Sequence, residues 1–242
     1  MAGVFLRADW RYLAMLNYAV DPALLASRVP AGTELDFFDG KAFASLVGFR
    51  FLRTKVLGIG VPFHRDFDEV NLRFYVRRRS EEGWRRGVVF VRELVPLPAI
   101  ALIARLAFNE NYLALPMSHA VTDSPEGGDG TVSAEYGWRY RGNAAGIAVR
   151  ARGTPSLAQE GSAEQFITEH YWGYARQRDG TSLEYAVRHD PWRVWTAHDA
   201  AFVGECGALY GSELAAALSQ PPDSAFLAEG SPVTVYAGRR LS

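Results

Sequence analysis

Lysine and cysteine are nearly absent from this chain of 242 residues. Its lysines are Lys41 and Lys55, and Cys206 is its single cysteine. One cysteine excludes an internal disulfide and any metal site built on several cysteines. The remaining basic residues are arginines, whose planar guanidinium groups bind carboxylates through two hydrogen bonds.

Long apolar runs and a strong net charge are also missing. No stretch of about 18 apolar residues would span a membrane, and the first residues lack the pattern of a signal peptide. The formal net charge is −1, so no overall field attracts nucleic acid or an anionic membrane surface. These absences predict a cytoplasmic protein without a nucleic-acid or membrane partner.

Common catalytic and cofactor motifs are absent as well. The chain has no Gly-x-Ser-x-Gly elbow and no three-glycine dinucleotide fingerprint, so no cofactor is predicted. One segment, residues 64–69, gathers a histidine and three acidic residues, among which His64 and Asp66 are spaced to share a metal ion. Acidic residues are common where a loop meets a strand, and we predict no metal site.

The most informative segment present is residues 67–76, where polar and apolar side chains alternate. A period of two is typical of a β-strand, because successive side chains leave opposite faces. The apolar side chains are β-branched, aromatic or leucine, as a half-buried strand prefers. The other face carries four groups capable of specific chemistry, namely Glu69, Asn71, Arg73 and Tyr75.

Two interpretations of this polar face remain open. It forms either the wall of a polar pocket or a solvated outer face with cross-strand ion pairs. Glu69 and Arg73 lie roughly 13 Å apart along the strand, too far for direct pairing. Each therefore needs a partner on the return strand, residues 88–94, where Arg92 and Glu93 are the candidates.

The remaining pattern predicts a mainly β (α+β) chain. About ten short strands alternate with three or four helices, and no repeat or linker divides residues 1–242, so a single domain is expected. An Asp39-Gly40 pair predicts a hairpin turn. Apolar spacing predicts a helix over Pro98–Phe108, and a capping box at Ser162 predicts another helix over residues 162–176.

Several segments together resemble the YqjF-like proteins, a bacterial family of unknown function. The resemblance covers roughly residues 10–200, in order, and is specific as a set. It rests on Pro30-x-Gly32, Leu35-Asp36-x-Phe38-Asp39-Gly40, Phe67-x-Glu69-x-Asn71-x-Arg73-x-Tyr75-Val76, Ala104-Arg105, Leu115-Pro116, Phe166-x-x-Glu169-x-Tyr171 and His189-x-Pro191-Trp192.

This family looks like a relative of acetoacetate decarboxylase. The resemblance implies a cone-shaped antiparallel β-barrel with a central pocket and flanking helices. It also implies that a Schiff-base lysine, if present, would follow the Arg-Glu-Leu stretch that begins at Arg92. The chain has Ala99 and Ile100 there, so Schiff-base decarboxylation is not expected.

We therefore expect a pocket that binds a small anionic or carbonyl-bearing organic molecule. Asn71, Arg73, Tyr75 and Arg92 are the predicted binding residues, and Glu69 and Glu93 are the predicted acid or base groups. One alternative is a lysine-independent lyase, hydratase or isomerase that acts on a small organic acid with Glu69 as general base. Another is a non-catalytic structural or interaction protein.

A homodimer is compatible with the sequence, because three aromatic residues are candidates for an exposed surface. They are Trp138, Tyr140 and Trp172.

Overall fold

The computed structural model describes residues 2–60, 63–123 and 130–241. Strands dominate these residues, and the helices between them are short. The first half contains β1 (Val4–Val20), α1 (Ala23–Ala26), β2 (Glu34–Leu35), β3 (Ala42–Val56), β4 (Phe67–Ser80), β5 (Gly83–Val95), α2 (Pro98–Phe108), β6 (Tyr112–Ala114) and β7 (Met117–Asp123). The second half contains β8 (Thr131–Tyr140), β9 (Asn143–Arg152), β10 (Ser156–Leu157), α3 (Ala163–Thr168), β11 (Trp172–Arg176), β12 (Ser182–His189), β13 (Arg193–Gly204), α4 (Gly207–Tyr210), α5 (Ser212–Leu218), β14 (Ser224–Tyr236) and β15 (Arg239–Leu241).

Seven strands close into a ring in the order β1, β3, β4, β5, β11, β12 and β14, after which β14 pairs with β1. Neighbouring strands of the ring are antiparallel except β5 and β11, which pair in parallel over two positions. Closure removes the free edges that an open sheet would expose. The predicted mainly β barrel is confirmed, with longer strands than expected.

The strands of the ring are buried on both faces. On β4, Val70, Leu72 and Phe74 pack outside the ring into a cluster that includes Tyr136 of β8 and Ile147 of β9. The strands β13, β9, β8 and β7 continue from β14 and cover this outer side. The alternate side chains of β4 therefore point into the ring.

The predicted turn at Asp39-Gly40 is a sharp reversal of the chain. Asp39 and Gly40 both have positive φ, 48° and 72°, as a two-residue hairpin turn requires. Phe38 and Lys41 exchange backbone hydrogen bonds across this turn, so the prediction is confirmed.

The predicted helix over residues 162–176 is wrong beyond its first turns. Ser162 does cap α3, since its Oγ accepts a hydrogen bond from the backbone N–H of Gln165. The helix ends at Thr168, and β11 begins at Trp172. Pairing of β11 with β12 and β5 overrides the helical spacing, because both partners are fixed in the ring.

Of the three aromatic residues considered for a dimer surface, one is buried and two are partly exposed. Trp138 is buried, with its ring 6.2 Å from that of Phe202. Trp172 stacks under the guanidinium of Arg85, and Tyr140 is half-buried. In the described ranges, no helix is long and apolar enough to cross a membrane.

Candidate ligand-binding site

The ring encloses a cavity of about 110 Å³. Aromatic and aliphatic side chains from the ring and from α2 form most of its wall. The apolar part includes Phe5, Trp10, Phe49, Phe51, Phe67, Phe90, Ile100, Ile103, Phe108, Trp172 and Trp192. The polar part consists of Glu69, Asn71, Arg73, Glu93, Glu110, Tyr112, Thr168, His170, Tyr185 and His189.

The polar face of β4 is buried. Glu69 is 2% exposed and Arg73 is 7% exposed, and together with Asn71 they line the cavity. The alternation predicted from the sequence is therefore present, and the solvated-face interpretation is wrong. A polar row inside a closed ring must find its partners in the protein or in a ligand.

Glu69 accepts two hydrogen bonds within the cavity wall. Asn71 Nδ2 donates to its Oε1 at 2.9 Å, and the Tyr112 hydroxyl donates to its Oε2 at 2.9 Å. Burial raises the pKa of Glu69 to about 7, against the lowering effect of these bonds and of Arg73. Near neutral pH this carboxyl group can therefore both accept and release a proton.

Glu93 and Glu110 add two further carboxyl groups to the same cavity. Burial and the neighbouring Glu110 raise the pKa of Glu93 well above its usual range. Burial also raises the pKa of Glu110 to about 8, although the Tyr185 hydroxyl donates to its Oε1 at 2.8 Å. Glu110 is therefore largely a neutral acid at pH 7, and burial favours the protonated form of Glu93 in the same way.

Arg73 is the arginine of the cavity wall. Its Nη2 donates to the backbone carbonyl of Ile167 at 3.3 Å, and its Nε donates to the Tyr75 hydroxyl at 3.4 Å. Tyr75 in turn donates to Ser45 Oγ at 2.7 Å. Tyr75 therefore lies behind Arg73, as a support for the guanidinium group, and is not itself part of the cavity lining.

The two candidates on β5 point in opposite directions. Glu93 pairs with Asn71 and faces the cavity, whereas Arg92 pairs with Leu72 and faces the outer cluster. The next pair is Arg73 with Phe90, so one residue of β5 is skipped. This β-bulge breaks the alternation, and Arg92 is carried away from the site where we expected it.

Two histidines that were not predicted as site residues line the cavity. His170 Nε2 lies 3.1 Å from Asp36 Oδ2, and burial lowers the pKa of His170 to about 4. The His189 ring stacks on Trp192 at 4.1 Å between centroids, and burial lowers its pKa. Both imidazoles are therefore neutral at pH 7.

Residues 7–232 match the sequence profile of a family described as an uncharacterized conserved protein, domain of unknown function 2071. The chain belongs to this YqjF-like family. It is 27% identical over 194 residues to the uncharacterized protein YqjF of Bacillus subtilis (strain 168). That similarity covers 79% of this chain and 76% of the relative.

Solved structures with the same fold include acetoacetate decarboxylase from Legionella pneumophila, with a TM-score of 0.70 and 13% identity. The superposition covers 99% of this chain and 88% of the decarboxylase. The enduracididine biosynthesis enzyme MppR, complexed with pyruvate, matches with a TM-score of 0.70 and 12% identity over 100% of this chain and 92% of that chain. The YqjF-like protein thus has an acetoacetate decarboxylase-like fold.

Both lysines of the YqjF-like chain lie outside the cavity. Lys41 pairs with Asp223 at 3.5 Å, and its side chain is 59% exposed. Lys55 is also exposed. At the position where the resemblance implies a Schiff-base lysine, Ala99 is exposed and Ile100 lines the cavity. A carbonyl ligand in this cavity therefore meets no lysine amine with which to condense.

The acidic side chains of the segment considered for a metal site contact different parts of the protein. Asp66 Oδ1 accepts a hydrogen bond from the backbone N–H of Arg53. Asp68 lies 2.8 Å from His119 Nδ1, whereas Glu69 faces the cavity. Across residues 2–60, 63–123 and 130–241, no group of three His, Cys, Asp or Glu side chains is arranged to hold a metal ion.

Sequence reasoning missed several polar residues of the cavity. Glu110 and Tyr112 follow α2 and reach the site because β6 pairs with β5 beside Glu93, whereas Tyr185 lies on β12 across the ring. A weak signal existed for the histidines, because His189 and Trp192 form one segment of the family resemblance. Another such segment, which contains Phe166, Glu169 and Tyr171, encloses His170.

Proposed function

We propose that this YqjF-like protein binds a small organic molecule with a carbonyl or carboxylate group in the central cavity. Arg73 carries the proposal, because its guanidinium is buried yet lacks an ionic partner. Among the described residues, no carboxylate lies within ion-pair distance of Arg73. A buried charge of this kind is costly unless it is paired, and a ligand oxygen would supply the partner.

The size and lining of the cavity support a small and partly apolar ligand. An engineered cavity of about 150 Å³ accommodates benzene, so the 110 Å³ cavity suits a molecule of similar size. The aromatic wall favours an apolar part of the ligand. Burial favours the protonated form of Glu93, whose buried Oε2 has no hydrogen-bond partner in the described structure and in that form can donate to a carbonyl oxygen.

The fold comparison adds modest support. MppR, which shares the fold, is complexed with pyruvate in one of its structures, and pyruvate has both a carbonyl and a carboxylate group. At 12% identity this similarity establishes the fold alone. The ligand class proposed for the YqjF-like protein therefore rests on its own cavity residues.

Arg73 gives the first test. We expect Arg73→Met to weaken binding of 2-oxoisovalerate by roughly 10- to 100-fold, because a hydrogen bond to a charged group contributes about 1.5–3 kcal/mol. Thermal-shift titration measures this loss, since a ligand at a hundredfold excess over its Kd stabilises the native state by about 2.7 kcal/mol. Arg79→Met is the control, because Arg79 is exposed against Trp84. Equal affinity in the Arg73 and Arg79 variants would contradict the proposal.

Acid–base catalysis is a second candidate function, favoured by the pKa of about 7 at Glu69. A lyase, hydratase or isomerase of this type would use Glu69 to remove a proton next to a carbonyl. Glu93 would donate its proton to the carbonyl oxygen and give an enol. A reaction of this type requires no lysine.

This second function predicts a specific exchange reaction. In D₂O the wild-type protein should exchange the C3 hydrogen of 2-oxoisovalerate for deuterium, as followed by proton NMR. Glu69→Gln should slow the exchange roughly 10²- to 10⁴-fold, the usual contribution of a positioned base. Glu205→Gln, at an exposed position, should leave the rate unchanged. If the wild-type protein exchanges the C3 hydrogen no faster than 2-oxoisovalerate does without protein, the catalytic function fails and only the binding function remains.

A further inference from the structure

Asp36, Arg86 and His170 form a chain of hydrogen bonds that ends at the cavity, in which Asp36 and His170 are buried and Arg86 is partly exposed. Arg86 Nε donates to Asp36 Oδ2 at 2.6 Å, and His170 Nε2 lies 3.1 Å from the same oxygen. The side chain of His170 is 1% exposed and that of Asp36 is 6% exposed. His170 lines the cavity together with Arg73 and Asn71.

The charges of these groups define the tautomer of His170. Burial alone would raise the pKa of Asp36, but hydrogen bonds from His170 and Arg86 lower it below the usual value. Asp36 is thus an ionised acceptor. Because His170 is neutral at pH 7, it has one N–H, and the carboxylate requires this N–H at Nε2.

The second ring nitrogen is left with a free lone pair. His170 Nδ1 is buried and has no hydrogen-bond partner in the part of the chain that the structure describes. The faces of the imidazole are covered by aromatic rings, with centroids 4.7 Å away at Tyr75 and 5.0 Å away at Phe166. A buried acceptor of this kind costs free energy unless a donor reaches it.

Arg73 and His170 are neighbours on the cavity wall. Arg73 donates to the hydroxyl of Tyr75, whose ring packs against His170. Arg73 also donates to the carbonyl of Ile167, three residues before His170. The wall therefore presents a cationic donor beside a neutral acceptor.

We propose that His170 is a further ligand-binding residue, whose Nδ1 accepts a hydrogen bond from a hydroxyl or amino group of the ligand. The ligand class becomes a hydroxy- or amino-substituted carboxylate or carbonyl compound, with its oxygen at Arg73 and its donor at His170. Asp36, fixed by Arg86, is a positioning residue that keeps Nδ1 free of a proton. This inference rests on the proposed binding function and narrows it.

A matched pair of ligands tests the assignment. The wild-type protein should bind 2-hydroxyisovalerate roughly 3- to 10-fold more tightly than isovalerate, as expected for one additional hydrogen bond. The two molecules differ only in the hydroxyl group. His170→Phe should remove this preference, because phenylalanine preserves the ring packing but has no acceptor nitrogen.

Nitrogen NMR of the unaltered protein provides a second readout that needs no variant. In the free protein, the ¹⁵N resonance of His170 Nδ1 should be that of an unprotonated, pyridine-type nitrogen. Saturation with 2-hydroxyisovalerate should move this resonance, and isovalerate should not. Asp36→Asn should place a proton on Nδ1 in part of the molecules, because an amide can donate to Nε2.

Three results would overturn the assignment of His170. They are a protonated Nδ1 in the free protein, an Nδ1 resonance unmoved by bound 2-hydroxyisovalerate, and equal affinity for the two ligands. If both ligands bind equally and Arg73→Met weakens both, the binding function stands and the role of His170 fails. If neither binds, both proposals fail.

Discussion

At the scale of single residues, the main feature of the cavity is a set of three carboxyl groups with little positive charge near them. Glu69, Glu93 and Glu110 are all buried, and Arg73 is a cation near Glu69. Mutual repulsion and burial both favour the protonated forms. At neutral pH these buried carboxyl groups therefore retain protons that exposed glutamates would release.

Retention of these protons makes the free energy of unfolding depend on pH. A carboxyl group whose pKa is raised in the folded state contributes its full stabilisation at pH values below its unfolded-state pKa. This stabilisation is lost as pH rises through its folded-state pKa. For Glu110 this pH window runs from the ordinary glutamate pKa of 4.5 to the folded-state pKa of about 8. We expect the unfolding temperature of Glu110→Gln to fall less between pH 5 and pH 8.5 than that of the wild type.

The glutamine variant should also be more stable than the wild type at pH 8.5, by about 1 kcal/mol or more, because each pKa unit corresponds to about 1.4 kcal/mol. Its amide oxygen still accepts the hydrogen bond from Tyr185. Glu205→Gln, at an exposed position, should leave the pH dependence unchanged. Parallel melting curves for Glu110→Gln and the wild type across this range would show that Glu110 titrates normally.

At the scale of elements, β11 shows where local sequence signals fail. Its residues have helical spacing of aromatic side chains, yet Gly173 packs its backbone against the ring of Tyr185. A strand can bring its backbone this close only where no Cβ intervenes. Tyr185 then reaches Glu110 inside the cavity, so β11 helps to position the site.

We expect Gly173→Ala to destabilise the protein by about 1–3 kcal/mol, the usual cost of overpacking a core. The added Cβ would overlap the Tyr185 ring, and no other cause is needed, because Gly173 lacks the positive φ that alanine disfavours. Urea denaturation measures the change. Gly3→Ala is the control, since its Cβ would meet no atom within 4 Å. A Gly173 variant as stable as the Gly3 variant would mean that Tyr185 moves aside freely.

At the scale of the whole molecule, the sequence predicted what is local and missed what ring closure creates. The alternation of β4 identified Glu69, Asn71 and Arg73, because a strand displays its faces without reference to other segments. Glu93 was found because β5 returns directly beside β4. The bulge next to Arg92 has no local signature, so its direction could not be predicted.

The missed residues come from distant parts of the chain. Tyr112 reaches Glu69 across 43 positions of sequence, and His170 reaches Asp36 across 134. No periodicity relates such segments. Only the packing of distant segments in the folded chain brings them together, and no single sequence pattern specifies that packing.

The position of the two lysines has a practical consequence. Lys41 and Lys55 are both exposed, so amine-reactive dyes, surface tethers and cross-linkers can be attached to them while the cavity stays open. A carbonyl compound that enters the cavity finds no lysine to trap it as an imine, so dilution alone should release it from the protein. The protein can therefore be immobilised through its lysines and used to test whether it retrieves the proposed class of ligand from a mixture.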